Sequence, residues 1–362
     1  MRIRRTKCVA VSCAILAVCA ATAWAAAGYG VRTFRISRGV GAPWGTAVDK
    51  AGNLWFAEPG CDFSSTCSAG SRPGQIGELK LASHRIALYT LPRAPGNQPI
   101  FVAFDGRGKL WFTTPNNDRI GEFDPVRRKF VGQWRVSAGS APWDLAFARG
   151  KIWYAEFRGS AVGRFDPATH AHRDFRTPSA DSEPYGIAVR AGLVWFTENG
   201  SGVDRVAVLD TRRHDAIREY PIVLPQSGTP HMITLGPSGH PWWSEGFSGT
   251  IATLDPARAV PGSCGRTAGT CRGVRRFTVP PATGCTLGSH ASGVLFDQTR
   301  HLLWLDDSLS GRVGSLNPRT GRFDLIKLHD CNAHPHDGLA LGRSGNVWFD
   351  EEFANGLGEL VP

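Results

Sequence analysis

Seven copies of one short pattern run along this chain, and a repeat of that period leaves few folds open. The clearest copy reads Pro43-Trp44-Gly45, then Gly52-Asn53-Leu54-Trp55-Phe56-Ala57-Glu58, then Gln75-Ile76-Gly77-Glu78-Leu79. Its tryptophan–aromatic centre returns at Trp111-Phe112, Trp153-Tyr154, Trp195-Phe196, Trp242-Trp243 and Trp348-Phe349, with Trp304-Leu305 as an aliphatic variant. Self-similarity at roughly 40–50 residues is the mark of a propeller. The expected fold is therefore all-β: a seven-bladed β-propeller with four antiparallel strands per blade.

Each unit supplies its strands in the same order. Strand A is a short apolar run after a proline, as in Thr46-Ala47-Val48, and a glycine turn leads into strand B with its tryptophan. Strand C reads Ile-Gly-x-Leu/Phe, as in Arg119-Ile120-Gly121-Glu122-Phe123, and Asp124-Pro125 marks the turn after it. Strand C recurs at Ile76, Ile120, Val162, Val206, Ile251, Val313 and Leu357. Strand D follows the first six, at about 86–91, 130–136, 173–177, 217–221, 274–279 and 322–328. The seventh runs into Pro362, so its outer strand is expected from Val31–Ile36 at the other end of the chain. That closes the ring, hides the sheet edges and makes 28–362 one domain despite a length that suggests two.

Residues 1–25 read as a secretory signal: Arg2, Arg4, Arg5 and Lys7, an apolar stretch over Val9–Ala21, and Ala23-Trp24-Ala25 as a small-x-small cleavage site. The apolar run is short for a membrane span. A periplasmic or secreted protein is expected, with no stable membrane insertion after cleavage. Losing the four basic residues takes the net charge from +10 to +6, and the remaining Lys and Arg are scattered, which argues against a nucleic-acid partner. Nothing in the sequence signals oligomerisation, so a monomer is expected. Cys8, Cys13 and Cys19 leave with the signal, and the even set that remains suits an oxidising compartment. The expected pairs are Cys61–Cys67 in one loop of blade 1, Cys264–Cys271 around a glycine-rich insertion in blade 5, and Cys285–Cys331 between equivalent positions of blades 6 and 7. The last would contribute on the order of 4 kcal/mol by restricting the unfolded chain.

Chemistry is expected where strand A begins and strand B ends, because the two form a hairpin and A is innermost. The residue after each strand-A proline then rims the funnel: Trp44, Ile100, Trp143, Tyr185 and His231, followed by Ser292 and Asp337. The matching ends of strand B are Glu58, Thr114, Glu156, Glu198, Glu245, Asp307 and Glu351. Glu58, Glu156 and Glu198 read most simply as repeat-borne residues that bond loop amides. The funnel is asymmetric. Trp44, Trp143 and Tyr185 form an aromatic arc suited to a ring or apolar body, with Glu245 and Asp307 as further substrate-binding candidates. Blades 5–7 add His231, His290, His334 and His336, with Asp337, Glu351 and Glu352 nearby. Imidazoles beside carboxylates suit a general base or a divalent metal.

The run Pro184-Tyr185-Gly186-Ile187-Ala188, with Trp195-Phe196-Thr197-Glu198 and the Ile-Gly-x-Phe-Asp-Pro of strand C, resembles the virginiamycin B lyase family, which linearises streptogramin B antibiotics. The resemblance extends over residues 31–362. It implies Mg2+ held by late-blade carboxylates, with Ca2+ or Mn2+ as alternatives. It also implies a histidine that takes a proton α to a carbonyl, so that a lactone opens by elimination. By position, it matches His231 to a site histidine and Glu351 to a metal carboxylate, with His336 as the base, Asp337 as a further metal ligand and His334 where a metal-binding carboxylate is expected; His290 joins the catalytic candidates from the histidine arc. Blade 7 departs from the family's Glu-Pro-His-Gly, reading His334-Pro335-His336-Asp337-Gly338. Three functions fit these residues. One is a metal-assisted lyase acting on a lactone or ester-linked cyclic peptide. The others are a non-catalytic exported propeller binding a peptide, glycan or cell-wall ligand, and a lactone hydrolase using metal-bound water.

Overall fold

The computed structural model describes residues 29–39, 41–63, 67–68, 71–222, 228–259, 272–283 and 288–362. The proposed signal, the Cys264–Cys271 pair and Cys285 lie outside the described residues. Among those described, the strands form seven antiparallel sheets of four, each one blade. Blade 1 runs Trp44–Val48, Leu54–Glu58, Gln75–Lys80 and Arg85–Thr90, and the outer strands of later blades fall within about a residue of their expected positions. Blade 7 combines Ala340–Leu341, Val347–Glu351 and Gly356–Val361 with Gly30–Arg35 from the other end of the chain. The closing pair runs in continuous register from Gly30 opposite Val361 to Arg35 opposite Gly356. Cys61 and Cys67 form a disulfide, and Cys331 is also disulfide-bonded.

Two side-chain devices explain why the repeat has the letters it has. The first ties the A–B turn to the core. Asp49 Oδ1 accepts from the amides of Ala51 and Asn53, while its Oδ2 accepts from Trp55 Nε1 at 3.0 Å. Asp105 does the same for Arg107, Lys109 and Trp111, and Asp297 for Thr299, Arg300 and Trp304. A buried indole thus finds its acceptor in the turn that delivers it. The second device explains the Ile-Gly of strand C. Gly77, Gly121, Gly163 and Gly358 lie directly opposite Phe56, Phe112, Tyr154 and Phe349. A Cβ on any of them would fall 1.9–2.1 Å from the ring's Cζ. Blades 4 and 5 use Ala207 and Ala252 opposite Phe196 and Trp243. Strand B therefore buries one aromatic on each face, and only a very small residue fits beneath the second.

At the axis, the A–B ladder slips by a β-bulge in blades 1, 3, 4, 5 and 6, each time next to the residue expected in the funnel. Bulges re-aim side chains, and here they free a row of residues from the ladder. Penultimate strand-B hydroxyls then hold the next blade: Thr113 Oγ1 donates to the Trp143 carbonyl, Thr197 Oγ1 to that of His231, and Ser244 Oγ to that of Ser292.

Gly121→Ala should lower stability by about 1–3 kcal/mol, because the methyl must displace the Phe112 ring in a packed core. Urea unfolding checks this; an unchanged midpoint would refute the ring-over-glycine account.

Candidate functional site

A cavity of about 450 Å³ opens on the face where strands A begin. Trp44, Trp143, Tyr185, His231, His290, His334 and His336 line it, as do Phe63, Phe157, Asn199 and Phe247. The aromatic and histidine arcs read from the sequence thus share one pocket. The second group of residues comes from the loops after strand B, Phe63 being carried by the Cys61–Cys67 loop against Trp143 at 5.5 Å between ring centroids. Loop reach has no periodic signature, and these residues went unread in the sequence.

Several expected funnel residues stand elsewhere. Ile100 is fully buried in the hydrophobic core instead of rimming the channel. Ser292 is buried too, and its hydroxyl donates to Asp306 Oδ1. In blade 6 the side chain that reaches the pocket is His290, two residues earlier. In blade 7 it is His336 rather than Asp337. The Glu352 amide donates to the His334 carbonyl, as the Ser308 amide does to that of His290, which puts Asp337 in the chain as one extra residue. Asp337 takes a left-handed φ of 66°, whereas the left-handed φ of His334, 53°, has counterparts at Ala42, Ala141, Glu183 and Thr229, which precede the strand-A proline in other blades.

The strand-B carboxylates mostly turn away from the pocket. Glu245 is held by Arg276 at 2.9 Å and by Thr250, and Asp307 by Arg312, Ser289 and the His290 amide. Glu58 accepts from the Gly41 amide, as expected of a repeat-borne residue. Glu351 accepts from Thr33 Oγ1 on the closing N-terminal strand, and Asp337 from the Tyr185 hydroxyl at 2.6 Å. Two carboxylates meet the histidines: Glu352, whose Oε2 lies 2.9 Å from His334 Nδ1 and 3.8 Å from His336 Nδ1, and Asp337, whose Oδ2 lies 3.9 Å from His336 Nε2.

Two groups of side chains bring ligand atoms within 4.8 Å of one another among the described residues: His231, His290 and His336, and His334, His336 and Glu352. His231, His290 and His336 are 8%, 6% and 9% exposed. Magnesium demands a nearly all-oxygen octahedron, and two carboxylates among four imidazoles, one carboxylate already bonded to the Tyr185 hydroxyl, do not provide it.

Electrostatics divide the site into two layers. Burial, and then the neighbouring imidazoles, push His290 and His336 well below the ordinary histidine range, so both are neutral at neutral pH. A set of carboxylates that sequence reading passed over is buried alongside. Burial raises Asp144 to about 7, Asp306 to about 8 and Asp350 well above the usual carboxylate range. Asp337 is raised as well, and repulsion among these groups adds to the effect. Asp306 and Asp350 do leave a sequence signal, since the same strand position carries Ala57, Thr113, Ala155, Thr197 and Ser244 in the other blades.

Asp306 keeps its proton in the fold up to about pH 8, whereas the unfolded chain releases it near the ordinary carboxylate value of about 4. Its contribution to stability is therefore present at acid pH and lost as pH rises through that window. Asp306→Asn, which is neutral throughout, should gain on the wild type by on the order of 1 kcal/mol per pH unit between about pH 5 and 8. Urea midpoints across pH check this; parallel wild-type and variant profiles would contradict it.

Comparison with known proteins follows the geometry. The virginiamycin B lyase family profile matches residues 65–262, more than half of the chain. A streptogramin B lyase structure superposes with a TM-score of 0.73 at 19% identity, covering 92% of this chain and 97% of that one. A catalytically inactive histidine-to-alanine variant of virginiamycin B lyase from Staphylococcus aureus, solved with quinupristin, gives 0.74 at 19% identity, covering 92% and 100%. The WD40 repeats of RRP9 give 0.66 at 12%, covering 91% and 97%. At these identities the likeness shows a shared fold. No curated protein matches the chain. The profile match over more than half its length makes the chain a member of the virginiamycin B lyase family.

Proposed function

We propose that this protein is an exported lyase that opens an ester-linked cyclic substrate of the streptogramin B type by β-elimination. The observation that carries the reading is one pocket joining an aromatic wall to four histidines, one of them paired with a buried carboxylate. Export is supported by the N-terminal basic–apolar–small pattern and by the Cys61–Cys67 disulfide.

We assign proton abstraction to His334 rather than His336. A base needs a lone pair facing the substrate and a partner that fixes its tautomer. Glu352 lies 2.9 Å from His334 Nδ1, holds the proton on that nitrogen and leaves Nε2 as the acceptor. The His334 ring is fixed further by Phe353, stacked at 4.1 Å and 4°. His336 has a buried Nδ1 without a hydrogen-bond partner, and its depressed basicity makes it the poorer acceptor. His334 Nε2 takes the proton α to a carbonyl. The C–H electron pair becomes a C=C bond to the β carbon, and the β C–O bond breaks with the ester oxygen leaving as carboxylate. No water is consumed. Trp44, Trp143 and Phe157 hold the apolar body of the substrate, and the exposed Phe247 extends that wall to solvent.

Quinupristin is the probe. The product should have the mass of the substrate, since elimination only rearranges atoms, whereas a hydrolase would add the mass of one water. His334→Ala should lower kcat by about 10²–10⁴-fold with affinity within a few-fold of wild type. Binding without turnover by the wild type would move the assignment to a non-catalytic propeller. Full activity in His334→Ala would refute its role as base.

A further inference from the structure

We infer that His231, His290 and His336 form a site for a divalent transition metal of the zinc type, with one coordination position open to the pocket. The inference shares its cavity with the function proposed above but does not depend on the elimination chemistry. Three imidazoles from three consecutive blades converge here. Ring centroids are 4.7 Å apart for His231–His290, 5.8 Å for His290–His336 and 6.1 Å for His231–His336. No carboxylate belongs to the group, and its ligand atoms already lie within 4.8 Å of one another. In a tetrahedral site with Zn–N bonds of about 2.0–2.1 Å the nitrogens stand roughly 3.3 Å apart, a contraction that small side-chain rotations supply.

The surrounding hydrogen bonds prepare these rings as ligands. His231 Nδ1 lies 2.8 Å from the Thr229 carbonyl and 3.2 Å from the Asn199 side-chain nitrogen; the shorter contact is to an acceptor, and with the hydrogen on Nδ1 the Nε2 lone pair is free. Donating the second ring nitrogen to a carbonyl is the usual outer support of a metal-bound histidine. His290 Nδ1 lies 3.0 Å from Ser308 Oγ, whose own hydrogen goes to the His290 carbonyl. His336 Nδ1 is buried without a hydrogen-bond partner, 3.8 Å from Glu352 Oε2. Imidazole nitrogens gathered within 4.8 Å of one another can turn their lone pairs on a single cation.

Donor type selects the metal. Imidazole suits zinc, copper, iron and nickel, whereas carboxylate and carbonyl suit magnesium and calcium. Three histidines with an open fourth position are the pattern of catalytic rather than structural zinc. When bound, such an ion would act as a Lewis acid on a substrate carbonyl in the same pocket.

The test uses the chelator-stripped protein without its signal, titrated calorimetrically with Zn2+ and with Mg2+, and with Co2+ followed by visible absorption. One Zn2+ should bind per chain, at least about a hundredfold tighter than Mg2+. Co2+ should show the d–d bands of a tetrahedral site. His290→Ala and His231→Asn should each weaken Zn2+ at least about tenfold and remove the Co2+ bands, with circular dichroism confirming that both variants fold. Glu352→Gln should leave Zn2+ affinity within a few-fold. No Zn2+ binding by the folded wild type would overturn the inference. So would binding lost in Glu352→Gln but kept in His290→Ala, which would move the ion to His334, His336 and Glu352. Loss of quinupristin turnover in His334→Ala with zinc retained, or the reverse in His290→Ala, separates failure of one proposal from failure of the other.

Discussion

Everything at the centre of this molecule depends on one antiparallel pairing at its edge, between the first strand, Gly30–Arg35, and the last, Gly356–Val361. Without it blade 7 would end in an open edge, and an open propeller has no enclosed axis to line. The pairing also reaches the site's border. Thr33 on the first strand binds Glu351, whose neighbour Glu352 contacts His334 and His336. The two ends of the chain therefore meet one residue away from the chemistry.

The closed ring lets the protein keep polar groups where few proteins can. Asp306 and Asp350 are fully buried, and Asp144, Asp337 and three of the histidines are nearly so. Charged together, the acids would repel one another at close range in a medium that screens poorly. Burial resolves this by holding protons on Asp306 and Asp350, raising Asp144 and Asp337 in the same direction, and keeping protons off His290 and His336. The result is a core that is polar yet pushed towards electrical neutrality, and held in place because the bonded acid oxygens take their hydrogens from backbone, from Ser292 and from the Tyr185 hydroxyl.

The fold was legible because its constraints recur. The tryptophan–aromatic pair, the Ile-Gly of strand C and one strand D too few are each visible without coordinates. The site was legible only in part. The aromatic and histidine arcs came from repeat position, and the structure does gather them around one cavity. What failed was the choice between adjacent residues. Glu351 and Glu352 differ by one position at a strand end, and one residue decides which side a side chain faces. The same arithmetic applies to His336 and Asp337, where an inserted residue moved the funnel position. Phe63 and Phe247 come from loops, whose reach no periodicity encodes.

The hydrogen bonds that hold the funnel run from the side chain of one blade to the main-chain carbonyl of the next, as with Thr113 and Trp143 or Thr197 and His231. A carbonyl is common to every amino acid. The anchoring of each pocket position is thus indifferent to which side chain stands there, and a mutation can exchange indole for phenol or imidazole while the backbone stays pinned. Substrate range and folding energy are largely uncoupled in such a ring. A lineage built on it can drift through many ligands one blade at a time, at little risk to the scaffold.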